Sequence, residues 1–165
     1  DLVFLSQSGA QHELTLPLIN GVFQSNLNHK NWAYRRLRDF LGDLSGKTIL
    51  LLGLTYKPNT STLRRSLAME LCELLLNDGA NVRAIDPQAE DLPLHLTNRV
   101  MRFSQLTDAL AQTDAAVVTT KWPEFQQLSS VDCRNLMKRA LILDANRFLG
   151  TQLSELPEYY AVGQP

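Results

Sequence analysis

GKTILLLGLTYKPNTSTLRRS, residues Gly46 to Ser66, reads as a buried strand, a polar loop and the start of a helix. Thr48 to Leu52 is apolar throughout and is bounded by Gly46 and Gly53. Such a run is expected of a central strand in a parallel sheet, where helices cover both faces. The loop behind it holds Tyr56, Lys57, Pro58, Asn59 and Thr60, and a helix is predicted over about Thr62–Asn77. Ligands of open α/β sheets sit beyond the carboxyl ends of the strands, so Tyr56 to Arg64 is where recognition or chemistry is expected.

Downstream, the pattern alternates strand and helix. Strands are predicted over Val82–Asp86, Val100–Phe103, Ala115–Thr119 and Ala140–Asp144, and an edge strand around Tyr159–Val162. Helices are predicted over Leu106–Gln112 and Val131–Lys138, and Gln88–Arg99 reads as irregular. Repeated βα units imply an α/β fold: a Rossmann-like open parallel sheet with helices on both faces. Upstream, Asp1–Ser8 looks like the end of a helix stopped near Gly9. A long helix is then expected from a Thr15 cap, with Pro17 in its first turn, to Gly42. Its apolar stripe is Ile19, Phe23, Leu27, Tyr34, Leu37 and Leu41, and its length would be about 40 Å at 1.5 Å per residue. Such a helix connects domains, pairs subunits or packs on its own sheet.

The 165 residues are 44% apolar and 20% charged, with a net charge of −1. That balance gives no support for nucleic-acid or membrane-surface binding, so an anionic ligand must be held by local cations. No apolar run reaches the roughly 20 residues of a membrane span, and the first residues lack the basic region of a signal peptide. Cys72 and Cys133 lie far apart, without metal or disulfide spacing, which favours a reducing, cytoplasmic setting and a role as small buried apolar groups. His12, His29 and His95 are scattered, and no metal site is expected. The chain starts with Asp inside a helical pattern, so a piece of something longer is expected.

The site residues offer binding chemistry rather than a nucleophile. Only Gly53 of the Gly-x-Gly-x-x-Gly fingerprint is present, so a pyrophosphate on the first loop is disfavoured. Asp86, at the end of the second strand, either contacts a ribose or serves a turn beside Pro87. Lys57, Arg64 and Arg65 surround the loop and the predicted helix start, where a partial positive charge adds to theirs. Asn146 and Arg147 end the last strand of the βα series, and Lys121 and Trp122 follow another, all on the same edge. An anionic, ring-bearing ligand fits that set, with Tyr56 stacking on a base or sugar; the alternatives are solvated cations and a Trp122 packed against Pro123 and Phe125.

Gly53 to Ser66 resembles the G-x-(A/S/T)-(F/Y)-K-x-x-T-x-D-x-R-E-S motif of the UDP-glucose/GDP-mannose dehydrogenase family. Ala80–Pro87, Trp122–Phe125 and Asp144–Arg147 follow in the family's order. The resemblance implies a helical segment, residues 1–45, ending a central dimerisation domain, and a UDP-sugar-binding domain, residues 46–165. It implies that Tyr56, Lys57, Asn146 and Arg147 contact a UDP- or GDP-linked sugar and that Arg64 reaches an NAD cofactor held mainly by an upstream domain. Asp1 resembles the Asp closing the family's G-G-x-C-x-x-x-D segment, and would assist catalysis at the upstream Cys. The family reaction takes a sugar C6 alcohol to a carboxylate in two hydride transfers, through a thioester. On this basis the chain is a substrate-binding fragment, inactive alone, of a cytoplasmic homodimer paired through the N-terminal helix. Thr62, Arg65 and Lys121 depart from the family's Asp, Glu and Glu and make the cleft more basic. Without the resemblance, a free-standing nucleotide-binding module or a purely structural dimer element also remains open.

Overall fold

Ile49, Leu50, Leu51 and Leu52 are all 0% exposed. Successive strand residues point to opposite faces, so complete burial of four in a row means that both faces of this strand are covered. The computed structural model describes residues 2–163. They divide into two units, meeting between Trp32 and Ala33.

The first unit is a helical hairpin of α1 (Leu2–Gln11) and α2 (Pro17–Lys30). The Leu14 N–H donates to the Gly9 carbonyl at 2.9 Å and the Ser6 hydroxyl to Asn20 Oδ1 at 2.9 Å. Helix α1 runs through Gly9, where a Cβ would lie 2.5 Å from Leu16 Cδ1. Gly9 therefore serves close packing and does not stop the helix. The expected Thr15 cap is absent: Leu16 precedes Pro17 without a side-chain cap. No residue of α2 is buried, and Phe4 and Leu18 are 67% and 78% exposed.

The expected continuous helix is interrupted. α2 ends at Lys30, Asn31 takes φ −86° and ψ 6°, and α3 covers Trp32–Leu41. Asn31 falls where the i+4 stripe Ile19–Phe23–Leu27 needs its next apolar residue. An Asn at such a position competes for backbone groups and favours a helix end.

The second unit is the α/β layer structure. Its elements are β1 (Thr48–Leu52), α4 (Leu67–Asn77), β2 (Asn81–Ile85), α5 (Leu94–Thr97), β3 (Val100–Phe103), α6 (Leu106–Leu110), β4 (Ala115–Val118), a 3₁₀ turn (Pro123–Gln127), α7 (Ser130–Leu136), β5 (Ile142–Leu143) and β6 (Tyr159–Tyr160). The six strands are parallel in the order β3-β2-β1-β4-β5-β6. This is the doubly wound order, and its topological switch point lies between β1 and β4. Short α5 occupies part of the span expected to be irregular.

Helix α3 packs on this unit. Leu37 is fully buried, Tyr34 and Arg38 donate to Asp78 Oδ2, and the Phe40 and Tyr160 rings stack at 4.3 Å. Leu50 and Leu52 join Leu110, Val118, Phe125 and Leu149 in one core layer. Each such side chain contributes about 1.5–3 kcal/mol by leaving water.

Helix α4 starts five residues later than its apolar spacing predicts. Ser66 caps it, accepting the Ala68 N–H at 3.1 Å, and Arg65 before it has φ 62°, which no helix continues. The helix closes as expected at Gly79, φ 76°, with Ala80 N–H to the Leu75 carbonyl and Gly79 N–H to the Leu76 carbonyl.

Candidate functional site

The end of β1 is joined to both of its neighbours. At Gly53, φ 102°, the N–H donates to the Ile85 carbonyl at 2.8 Å. On the β4 side, Thr119 Oγ1 donates to the Gly53 carbonyl at 2.6 Å and Thr120 Oγ1 to the Thr55 carbonyl at 2.6 Å. A Cβ at Gly53 would lie 2.4 Å from Thr120 Cβ. The switch-point crevice that accepts a pyrophosphate in dinucleotide-binding sheets is filled here by threonine.

Asp86 completes the junction. Its Oδ2 accepts the Leu54 N–H at 2.6 Å, the Thr55 N–H and Oγ1–H at 3.0 Å, and the Trp122 indole N–H at 3.0 Å. Its Oδ1 accepts the N–H groups of Gln88 and Ala89 at 2.9 and 2.8 Å. The turn role is therefore present, and no acceptor capacity is left for a ribose hydroxyl. Burial pushes the carboxyl upward, but the Leu54, Thr55 and Gln88 N–H donors and the indole outweigh it and hold Asp86 below the ordinary carboxylate value. Trp122 is 1% exposed and belongs to the core and this junction, not to a ligand surface.

A group with a lowered native pKa stabilises the fold above its unfolded-state value, and that contribution is lost as pH falls through the native value. The Asp86 term is thus complete above about pH 4 and fades below it. Thermal unfolding followed from pH 5 to pH 2.5 is expected to show a steeper fall for the natural chain than for Asp86→Asn. Parallel curves would exclude the Asp86 term.

Beyond the junction, residues 56–66 close on themselves. The Tyr56 N–H donates to the Thr62 carbonyl at 3.1 Å, Thr60 Oγ1 to the Lys57 carbonyl at 3.0 Å, and Ser66 Oγ to the Leu54 carbonyl at 2.6 Å. Tyr56 is 58% exposed, and Lys57, Arg64 and Arg65 are exposed beside it. Arg64 and Arg65 sit in the loop, not on the helix. The Ser66 side chain already occupies the Ala68 N–H, so helix α4 offers less to an anion than its predicted start implied.

The Asp144–Arg147 turn is built in the same way. Asp144, 0% exposed, accepts the N–H groups of Asn146 and Leu149 at 3.2 and 2.8 Å and the Tyr159 hydroxyl at 2.8 Å. Burial, and then this bond, raises the Tyr159 pKa. Asn146 and Arg147 are exposed, and Arg147 has φ 54°. Both strand-end carboxylates, Asp86 and Asp144, are thus spent on donors within the chain.

Strands β1, β4 and β5 are neighbours, so Tyr56–Lys57, Lys121 and Asn146–Arg147 occupy three consecutive strand ends, about 10 Å from first to third. Among the described residues, Lys57, Arg64, Arg65, Lys121 and Arg147 have no carboxylate partner. At the opposite edge, Arg38 pairs with Asp78 at 2.9 Å, Lys138 with Asp114 at 3.3 Å and Arg139 with Glu158 at 2.6 Å. Asn59, Arg65 and Arg147 share left-handed backbone in these loops, and such strain concentrates where ligands are held. A pocket of about 590 Å³ opens beyond β2 and β3, lined by Asp86, Pro87, Phe103, Gln105 and Glu124 among others; Tyr56, Lys57, Arg64, Asn146 and Arg147 do not line it. Asp1 lies outside the described residues. Thr55, Thr119 and Thr120 were not singled out by the sequence; their only signal is polarity immediately after an apolar strand.

A doubly wound sheet with a cationic carboxyl edge and threonine in the dinucleotide crevice defines a Rossmann-like domain. Residues 50–151 match the UDP-glucose/GDP-mannose dehydrogenase family, UDP binding domain, and the chain belongs to that family. It is 31% identical over 168 residues to the UDP-glucose 6-dehydrogenase of Rickettsia prowazekii (strain Madrid E), covering 99% of this chain and 39% of that protein. It is 29% identical over 151 residues to UDP-glucose 6-dehydrogenase TuaD of Bacillus subtilis (strain 168), covering 90% and 33%. A UDP-glucose dehydrogenase structure from Pyrobaculum islandicum superposes with a TM-score of 0.81 at 26% identity, covering 96% of this chain and 35% of that one. The chain thus spans little more than a third of the proteins it resembles. No helix among the described residues is long and apolar enough to cross a membrane.

Proposed function

We propose that this chain is the nucleotide-sugar-binding part of an NAD-dependent nucleotide-sugar 6-dehydrogenase that oxidises a C6 alcohol to a carboxylate in two hydride transfers. The observation that carries this is the row of exposed, carboxylate-free cations with Tyr56 on three adjacent strand ends of a family UDP binding domain. Lys57 and Arg147 hold the diphosphate, Tyr56 covers the ring-bearing part, and Asn146 donates to the sugar. An Arg at a strand end forks to phosphate oxygens in a way a Lys does not.

NAD supplies the hydride acceptor when bound. The filled crevice at Gly53 does not suit its pyrophosphate, whereas exposed Arg64 suits a phosphate or amide presented from another domain. The chain's own residues therefore orient the sugar, and the cofactor's main cradle and the catalytic Cys belong elsewhere in the protein. Asp1 assists at that Cys. Residues 1–45 form the end of a dimerisation domain and 46–165 the UDP-sugar-binding domain. The exposed apolar residues of α1 and α2, Phe4 and Leu18 foremost, support a homodimer paired there. The setting is cytoplasmic, and the chain alone produces no NADH.

Calorimetric titration with UDP, UDP-glucose, UDP-N-acetylmannosamine and GDP-mannose tests the reading. Saturable heat for uridine ligands and none for GDP-mannose is expected. Silence from every uridine ligand would overturn it.

A further inference from the structure

Two aspartates fix the two ends of β1. At the amino end, Asp114 Oδ2 accepts the Thr48 N–H at 2.8 Å, and Oδ1 pairs with Lys138. At the carboxyl end, Asp86 gathers six donors, three of them from Leu54 and Thr55. Tyr56 and Lys57 follow directly.

Thr55 is held on every side. Its N–H and hydroxyl go to Asp86, its Oγ1 accepts the Trp122 indole N–H at 3.2 Å, and its carbonyl accepts Thr120 Oγ1. The next backbone N–H, of Tyr56, is already committed to Thr62. The chain thus leaves the core at Thr55 in a single direction, and two exposed side chains begin there. Ordering the backbone before a ligand arrives removes part of the cost of binding with long, mobile side chains.

The geometry points to Asp86, assisted by Trp122, as the positioning residue that sets Tyr56 and Lys57 for the nucleotide. This rests on the proposed role of those two residues. Asp86 has no free lone pair for the ligand and acts only through Thr55.

Charge and position make opposite predictions. Asp86→Asn removes a negative charge near a bound diphosphate, which by itself would tighten binding. It also replaces an all-acceptor group by one carrying an NH₂ among six donors, which frees the Thr55 backbone. Tyr56 and Lys57 must then be ordered when the ligand binds, so UDP affinity is expected to fall about tenfold.

The experiment uses the ¹⁵N-labelled chain with Asp86→Asn, Asp114→Asn and the natural sequence in parallel, reading amide resonances and UDP titrations. Asp114→Asn is the control for a merely structural effect, because it loosens the far end of the same strand. Expected for Asp86→Asn are shifted and broadened Tyr56 and Lys57 amides, intact core resonances and weakened UDP binding. Expected for Asp114→Asn are unmoved Tyr56 and Lys57 amides and affinity within about twofold, as for distant sites. Unmoved amides in Asp86→Asn, unchanged or tighter UDP binding, or equal weakening by both variants would overturn the inference. If the natural chain binds no UDP, the proposed function fails, and the Tyr56 and Lys57 amides alone decide the positioning role. If Asp86→Asn does not fold, Trp122→Phe removes the indole donor while keeping an aromatic ring in the core. It is expected to move the same amides and weaken UDP about threefold, the value of one hydrogen bond; unmoved amides there would also overturn it.

Discussion

Gly53→Ala is expected to lower the melting temperature by about 10 °C, the equivalent of about 4 kcal/mol in a chain of this size. Two costs combine. A φ of 102° lies outside the left-handed region that even Asn tolerates, so any L side chain there is strained by roughly 1–3 kcal/mol. The new Cβ also meets Thr120, with Cβ at 2.4 Å and the backbone N at 2.8 Å. Neither atom can yield, because the Thr120 N–H donates to the Leu52 carbonyl at 3.1 Å in the seam between β1 and β4. Overpacking of this kind costs about 1–3 kcal/mol more. Gly21→Ala is the control: it lies inside α2, nothing approaches its Cβ within 4 Å, and alanine there is expected to stabilise by about 0.5–1 kcal/mol. Circular dichroism melting of the two variants beside the natural chain reads both. A loss under about 1 kcal/mol for Gly53→Ala would mean that the β1–β4 seam opens easily, and that the switch-point crevice is available to a ligand after all.

The strand pattern was legible because local composition carries it. Ile49–Leu52 is a short apolar run between two glycines, which favours a strand covered on both faces, and Gly79 stands where a helix end needs positive φ. The errors share a cause. Leu63, Leu67, Leu71 and Leu74 have helical spacing, yet Leu63 is buried in the loop before the helix and not as part of it. Periodicity cannot separate those two reasons for burial. Nor does it register Arg65 or Arg147 in left-handed backbone, since neither residue type asks for it. The interruption at Asn31 is one polar residue in an otherwise continuous stripe, a weak signal against two turns of good helix on either side. At the site, Tyr56, Lys57, Arg64, Asn146 and Arg147 came from motif order, and the sheet order set the three strand-end groups side by side. Asp86 was readable as a turn residue beside Pro87. Its bonds to Leu54, Thr55 and Trp122 were not, because they span more than 30 residues and depend on β1 lying between β2 and β4.

Lys57→Ala is expected to weaken UDP binding about 30-fold while leaving the fold intact. The ammonium is exposed and has no carboxylate partner among the described residues, so nothing in the chain depends on it. Surface changes of that kind stay within about 0.5 kcal/mol in stability. A charge-assisted bond to a phosphate contributes about 1.5–3 kcal/mol, which sets the size of the loss. Lys57→Arg retains charge but replaces a compact ammonium by a planar fork, and is expected to recover only part of the affinity. The alternative explanation is that Lys57 contributes field rather than contact. Arg65 and Lys121, which stand where the family motif carries Glu, separate the two. If summed charge held the ligand, Arg65→Glu and Lys121→Glu, each a change of two charges, would weaken UDP more than Lys57→Ala does. Salt weakens the field of exposed charges far more than it weakens a direct contact, so a contact at Lys57 predicts the reverse order. Titrations of the three variants at 0.15 M salt therefore decide whether this edge recognises the diphosphate at one lysine or attracts anions as a surface; a loss under about threefold for Lys57→Ala would favour the surface.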